Sequence, residues 1–278
     1  MRINRATARY SFVWTTSMLA ILILVTCVII VRAQAQMVEN FAALSDGAAS
    51  NHTANMPASG TITGKVSFAG PAPKLERAKS NMAACGTSES YDRLTIGKDH
   101  GVEYTLIYIS NPPAGRANFP ALVIDQKQCG YQPHLAIATR GSSVTFVNND
   151  EVMHNVHGYY YIGSERSTAF NFGQPTKGQQ TPQQLRKAGM VSVECDIHPW
   201  MNSWIWVTDN PYAAVTKADG TYSIQGLPPG TYTVVMWHEG WKLNGSPNGR
   251  PEFSGAIVKQ QQVTVSESGT TNANFELN

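Results

Sequence analysis

Val193-Glu194-Cys195-Asp196-Ile197-His198-Pro199-Trp200-Met201 is the stretch from which the fold can be read. Side chains along a strand point to opposite faces in turn, so Val191, Val193 and Cys195 share one apolar face and the sulfur points inward. A tight turn through Pro199 then returns His198 and Met201 towards Cys195. Upstream, Val144-Thr145-Phe146-Val147-Asn148-Asn149-Asp150-Glu151-Val152-Met153-His154-Asn155-Val156-His157 has a strand of β-branched and aromatic residues leading into a polar turn and two histidines.

Outward from these two stretches, short β-branched and aromatic runs alternate with Gly, Pro, Asn and Asp from Gly60 to the end. The expected strands are Thr61–Phe68, Glu103–Ile109, Ala121–Ile124, Leu135–Thr139, Ser143–Val147, Met190–Glu194, Trp204–Val207, Tyr222–Ile224, Thr231–Trp237 and Val258–Val265. No segment keeps a helical period long enough for a stable helix; the best candidate is one or two turns at Pro182–Lys187. The fold class is therefore all-β, a sandwich or barrel, with no internal repeat.

Two imidazoles, a thiolate and a weak axial thioether are the donors a copper ion needs to exchange one electron, and His154, Cys195, His198 and Met201 offer that set. The soft sulfurs favour copper over magnesium or calcium. His157 competes with His154 for the first position. Taken singly, each residue has a plainer reading: Cys195 as a small buried hydrophobe, either histidine as an ordinary core or surface imidazole, Met201 as packing.

Cys195-x-x-His198-Pro199-Trp200-Met201, with Met153-His154-Asn155-Val156-His157 after a Val-Thr-Phe-Val-Asn strand, resembles the cupredoxins, and the short Cys-to-Met spacing is most similar to the amicyanin type. The resemblance extends to Tyr131-x-Pro133-x-Leu135 and Gly141-x-x-Val144-Thr145-Phe146, spanning about residues 119–208. It implies a Greek-key β-sandwich holding one type 1 (blue) copper ion on His154, Cys195, His198 and Met201. Asn155 is implied to tie the two ligand loops together by hydrogen bonds. Asp196-Ile197 in the loop, and a longer, less regular segment between the two halves, depart from the family pattern. Separately, Gly60-Thr61-Ile62-Thr63-Gly64-Lys65-Val66, the Asp219-Gly220 turn and Pro228-Pro229-Gly230 resemble the carboxypeptidase regulatory-like (transthyretin-like) sandwiches, which implies a scaffold without chemistry of its own.

These resemblances divide the chain into residues 60–118 as an N-terminal β segment, 119–208 as the copper-binding sandwich and 209–278 as a carboxypeptidase regulatory-like segment. Either the copper sandwich is nested within one transthyretin-like sandwich, which Gly60–Val66 favours, or two domains follow one another. Cys85 and Cys129 are expected to form a disulfide, the alternative being a second metal or redox site of Cys129 with His134.

Seven histidines, His52, His100, His134, His154, His157, His198 and His238, include no His-x-His pair, and Glu194 and Asp196 flank the thiolate. That argues against an oxidase or reductase needing further copper, and the expectation is an electron carrier, not an enzyme. The electron is expected to pass at an exposed edge of His198, with Pro199 and Trp200 as a small docking patch for a transient redox partner such as a cytochrome or dehydrogenase. The rivals are a structural or binding β-module stabilised by copper, and a copper-delivery protein.

Of 278 residues 42% are hydrophobic and 14% charged, a composition that can bury a core and does not fit a disordered chain. The formal charge of +2 offers no basis for nucleic-acid binding. Arg2, Arg5 and Arg9 precede an apolar run from Met18 to Val31, and Ala33-Gln34-Ala35 fits cleavage of a signal before Gln36. Counted from Phe12 the run nears the roughly 17–25 residues of a spanning helix, so residues 1–35 are a signal peptide or a membrane anchor. Both place the remainder outside the cytoplasmic membrane, periplasmic or secreted, after a flexible linker at 36–59. Without residues 1–35 the count is 17 basic against 19 acidic residues, mildly negative.

Overall fold

Gly60–Phe68 alternates buried and half-buried positions along its length, as a strand with one face on a core must. It pairs antiparallel with Thr221–Leu227 and parallel with Thr270–Asn272 and Phe275–Leu277. The computed structural model describes residues 59–278 except 76, 79–84, 86–88, 91–92, 164 and 248–249. The expectations for residues 1–35 and 36–59 thus lie, Ser59 apart, outside the described residues. A second sheet runs in the order Ala213–Val215, Leu106–Ile109, Gly230–His238, Ile257–Val265. Ile62, Val66, Ile224 and Leu277 meet Ile107, Val234 and Met236 in one core between these sheets.

The other core lies between a five-stranded and a four-stranded sheet. The first has the order Glu165–Gln174, His154–Ile162, Gly189–Glu194, Asn202–Thr208, Leu135–Thr139. The second has the order Gln180–Gln184, Ser143–Asn148, Leu122–Lys127, Gly130–Gln132. Val156, Val191, Val193 and Ile205 pack against Ile124, Val144, Phe146 and Leu185, and Cys195 and Met201 belong to the same core. The protein is an all-β sandwich structure; no α-helix occurs among the described residues, and none of their helices is long and apolar enough to cross a membrane.

Each expected strand overlaps an observed one, although Glu103–Ile109 begins only at Leu106. One reading needs correction. The helical turn expected at Pro182–Lys187 does not form: its last three residues are non-helical, and Pro182 to Gln184 belong to the strand Gln180–Gln184, paired with Ser143–Asn148. It lies at a sheet edge, where proline's missing N–H is tolerated. Leu185 just beyond it is fully buried, and burying a leucine gains roughly 1.5–3 kcal/mol, more than the local preference of a short polar run can oppose.

The segment expected to be longer and less regular than the family pattern is a hairpin of His154–Ile162 with Glu165–Gln174, interrupted by one register shift. Its outer face carries His157, Tyr159 and Tyr161 in place of small polar residues, which hides the alternation. A register shift between Thr168 and Phe170 sets the Phe170 ring over Gly158, where a Cβ would come within 2.4 Å of ring carbons. Glycine is required there by close approach.

Candidate metal centre

Gly189–Glu194 delivers Cys195 to the end of the core, fully buried. The loop after it closes on itself: Met201 N–H donates to the His198 carbonyl at 3.0 Å, and Cys195 N–H donates to the Met201 carbonyl at 3.3 Å. His198 is thereby folded back until its Nδ1 lies 3.6 Å from the Cys195 sulfur. His154 opens the neighbouring strand and points its Nδ1 at the same place, 3.0 Å from His198 Nδ1. Met201 is buried in the same core.

The protonation of this group follows from its neighbours. His154 Nε2 lies 2.9 Å from Asp150 Oδ2, and a carboxylate only accepts, so Nε2 carries the proton and Nδ1 keeps a lone pair turned inward. Burial lowers the pKa of His154, against the opposing pull of Asp150. Burial and the nearby His154 ring lower His198 to about 4, with Asp150 opposing weakly. Burial raises the Cys195 thiol, while backbone N–H groups of Asn155, His198 and Ile197 draw it back down. Two of these, Asn155 and His198, donate to the sulfur at 3.4 Å each. Neutral imidazoles and a sulfur already receiving hydrogen bonds are the donor states a soft or borderline metal ion needs.

Asn155 links the ligand stretches: its Oδ1 accepts from Asp196 N–H at 3.3 Å and its Nδ2 donates to Asn171 Oδ1 at 2.8 Å. Three further residues brace the site in roles the sequence did not assign them. Asp150 accepts from the backbone of Gln128 and Cys129 as well as from His154. Tyr131 Oη donates to the Asn155 carbonyl at 2.6 Å and also reaches that of Glu194 at 3.3 Å. Arg250 reaches the Cys195 carbonyl at 3.4 Å and Glu194 at 3.3 Å. Only Asp150 is close in sequence to what it holds.

His157 lies on the outer face, 3.0 Å from Asp196 and stacked on Tyr159, away from the three inward donors. Cys85 and Cys129 form a disulfide with a Cα–Cα distance of 5.2 Å. His134 pairs with Glu239, so the alternative site of Cys129 with His134 does not assemble. The exposed imidazole edge expected at His198 is also corrected: His198 is 1% exposed. Trp200 stands with its ring 5.3 Å from the imidazole and donates Nε1–H to the Cys129 carbonyl at 3.0 Å, tying it inward to the disulfide turn. Pro199 and Trp200 are half-buried and frame no open edge.

No family model matches the chain, and no curated protein matches it. Solved structures similar to part of it include a purple cupredoxin from Nitrosopumilus maritimus, 21% identical over 31% of this chain and 99% of that one, TM-score 0.28. A reduced amicyanin variant is 22% identical over 37% and 98%, TM-score 0.28. A copper-containing nitrite reductase from Thermus scotoductus is 20% identical over 36% and 25%, TM-score 0.26. The transthyretin-like resemblance rests on the sequence motifs alone.

Proposed function

We propose that this chain is an exported mononuclear type 1 copper protein that carries one electron between redox partners. The observation carrying this reading is the convergence of His154 Nδ1, His198 Nδ1 and the Cys195 sulfur in a buried position, with Met201 closing the same loop. A copper ion held there would supply one-electron exchange between Cu(I) and Cu(II). The protein's own part is to hold the donors in one arrangement for both oxidation states. Asp150 fixes the His154 tautomer, Asn155 locks one ligand loop to the other, and two backbone N–H groups stabilise charge on the sulfur.

A carrier is favoured over an enzyme because, among the described residues, each group of three potential ligands includes His154, His198 or both. With the His198 edge covered, Met153 and Ile197 are the apolar groups a partner would touch: each precedes an imidazole by one residue and they are 46% and 45% exposed. A cytochrome or dehydrogenase is the partner class proposed. Export rests on the arginine-flanked apolar run. Nesting of the 119–208 sandwich within a transthyretin-like one is supported by the first core, which draws its strands from before Leu122 and after Thr208.

Addition of Cu(II) to the purified protein tests the reading. An intense thiolate-to-copper charge-transfer colour is expected, bleached by reductant and restored by oxidant. A colourless or weakly green product overturns it.

A further inference from the structure

The disulfide is not a remote staple. The sulfurs of Cys85 and Cys129 and a ring nitrogen of His198 all lie within 4.8 Å of one another. The Cys129 sulfur is also within 4.8 Å of a ring nitrogen of His154 and an oxygen of Asp150. A cross-link needed only to fasten the chain has no reason to lie within 4.8 Å of both imidazoles of the candidate metal centre.

The backbone at Cys129 is held independently of the S–S bond. Asp150 accepts from Gln128 N–H at 2.7 Å and Cys129 N–H at 2.8 Å, and Trp200 Nε1–H binds the Cys129 carbonyl. Gln128 and Cys129 both take positive φ, 54° and 53°, to present these groups. Breaking the disulfide therefore leaves the Cys129 sulfur beside His198. Both cysteines are buried, at 5% and 1% exposure.

We propose that Cys85 and Cys129, once reduced, form with His198 a second site, of two sulfurs and one nitrogen, for Cu(I), adjoining the His154–Cys195–His198 set. Reduction by a dithiol transfers two electrons and two protons: the protein S–S bond breaks, two thiols form, and the dithiol becomes a disulfide. Binding of Cu(I) then forms two copper–sulfur bonds and one copper–nitrogen bond and releases the two thiol protons to solvent. Paired thiolates select soft Cu(I) over hard divalent cations. Because His198 belongs to both sets, the thiol state of the pair sets which donors an entering ion meets: with the disulfide intact, the Cys195 set is the one available among the described residues.

The test uses the full chain carrying Cys195→Ser, with and without reduction of the disulfide by a phosphine, and Cu(I) alone as probe in competition with a chromogenic Cu(I) chelator. The reduced form is expected to bind one Cu(I) at least about 10-fold more tightly than the disulfide form, with two copper–sulfur distances near 2.2–2.3 Å by X-ray absorption, by analogy with metal–thiolate bonds in general. Adding Cys129→Ser should remove that gain. Equal binding by the two forms, or a sulfur count that reduction does not change, overturns the proposal. So does loss of the near-ultraviolet circular dichroism on reduction, since the site requires Cys129 to stay in place without the bond. The Cu(II) colour of the wild-type disulfide form is a separate readout, so either reading can fail alone.

Discussion

Two clusters of buried polar side chains invite comparison. At one, Glu239 is 4% exposed and is met by Arg93, His134, Trp204 Nε1 at 2.8 Å and Asn202 Nδ2 at 3.1 Å. Burial pushes the Glu239 carboxyl up, but His134 and Arg93, with the hydrogen bonds, outweigh it and hold it below its ordinary range. At the other, Nδ1 of His154, Nδ1 of His198 and the Cys195 sulfur face one another, 3.0 Å apart between the rings and 3.6 Å from His198 to the sulfur, with Asp150 on the far side of His154. The first cluster sets donors against an acceptor and carries its own counter-charge, as buried charges must. The second gathers two imidazoles and a thiol that become metal ligands once the protons between them are given up. The difference separates a structural cluster from a candidate metal centre better than burial or histidine content does.

The sharpest way to break this contrast is Cys195→Ala, which should abolish the charge-transfer colour on Cu(II) addition while leaving the fold intact by circular dichroism; a retained colour would place the thiolate elsewhere. Glu239→Ala should do the reverse. Leaving Arg93 and His134 without their partner is expected to cost about 3–5 kcal/mol in urea unfolding, with the copper colour retained in the folded protein. A cost under about 1 kcal/mol would show that water reaches the cluster. Asn155→Ala, which removes the bridge to Asp196 N–H, is expected to weaken copper about 10-fold or more by competition titration; unchanged affinity would free Asn155 of that role.

A gentler comparison uses pH on the copper-free protein. His198 is held neutral in the fold, to about 4, against an ordinary value near 6.5. A lowered imidazole favours the folded state above the unfolded value, so stability should fall as pH drops from about 6.5 and level off near 4. Glu239 is also lowered, but its contribution persists until pH falls below the ordinary carboxylate value near 4.3. Urea midpoints at pH 7 and pH 5 thus report the imidazoles lowered by burial, His154 and His198 here and His238 beside Glu239, before the carboxylate, and His198→Gln isolates the share of His198. No drop between them, or the same drop in His198→Gln, would break this assignment.

The strands flanking the site were legible because alternation is local: Val191, Val193 and Cys195 lie on one face by their spacing alone. The long hairpin was hidden because tyrosines occupy its outer face, where polar residues would have marked a period of two. The edge strand at Pro182 was misread because its neighbours are polar, and only pairing with Ser143–Asn148 decides its conformation. The bracing roles of Asp150, Tyr131 and Arg250 were not legible, although Asp150 and Tyr131 stand in the quoted stretches, because hydrogen bonding to a ligand stretch needs no characteristic spacing.

The sequence by itself determined the period-two strands, the soft and borderline donors, and a return loop short enough to bring Cys195, His198 and Met201 together, since these depend on residue chemistry and short spacings. Tertiary structure alone decided that His198 is covered, that the disulfide borders both imidazoles, and that Glu239 is neutralised by residues 105 and 146 positions away. Those outcomes depend on which surfaces the two sandwiches bury, and a contact between residues so far apart leaves no periodic trace in the chain.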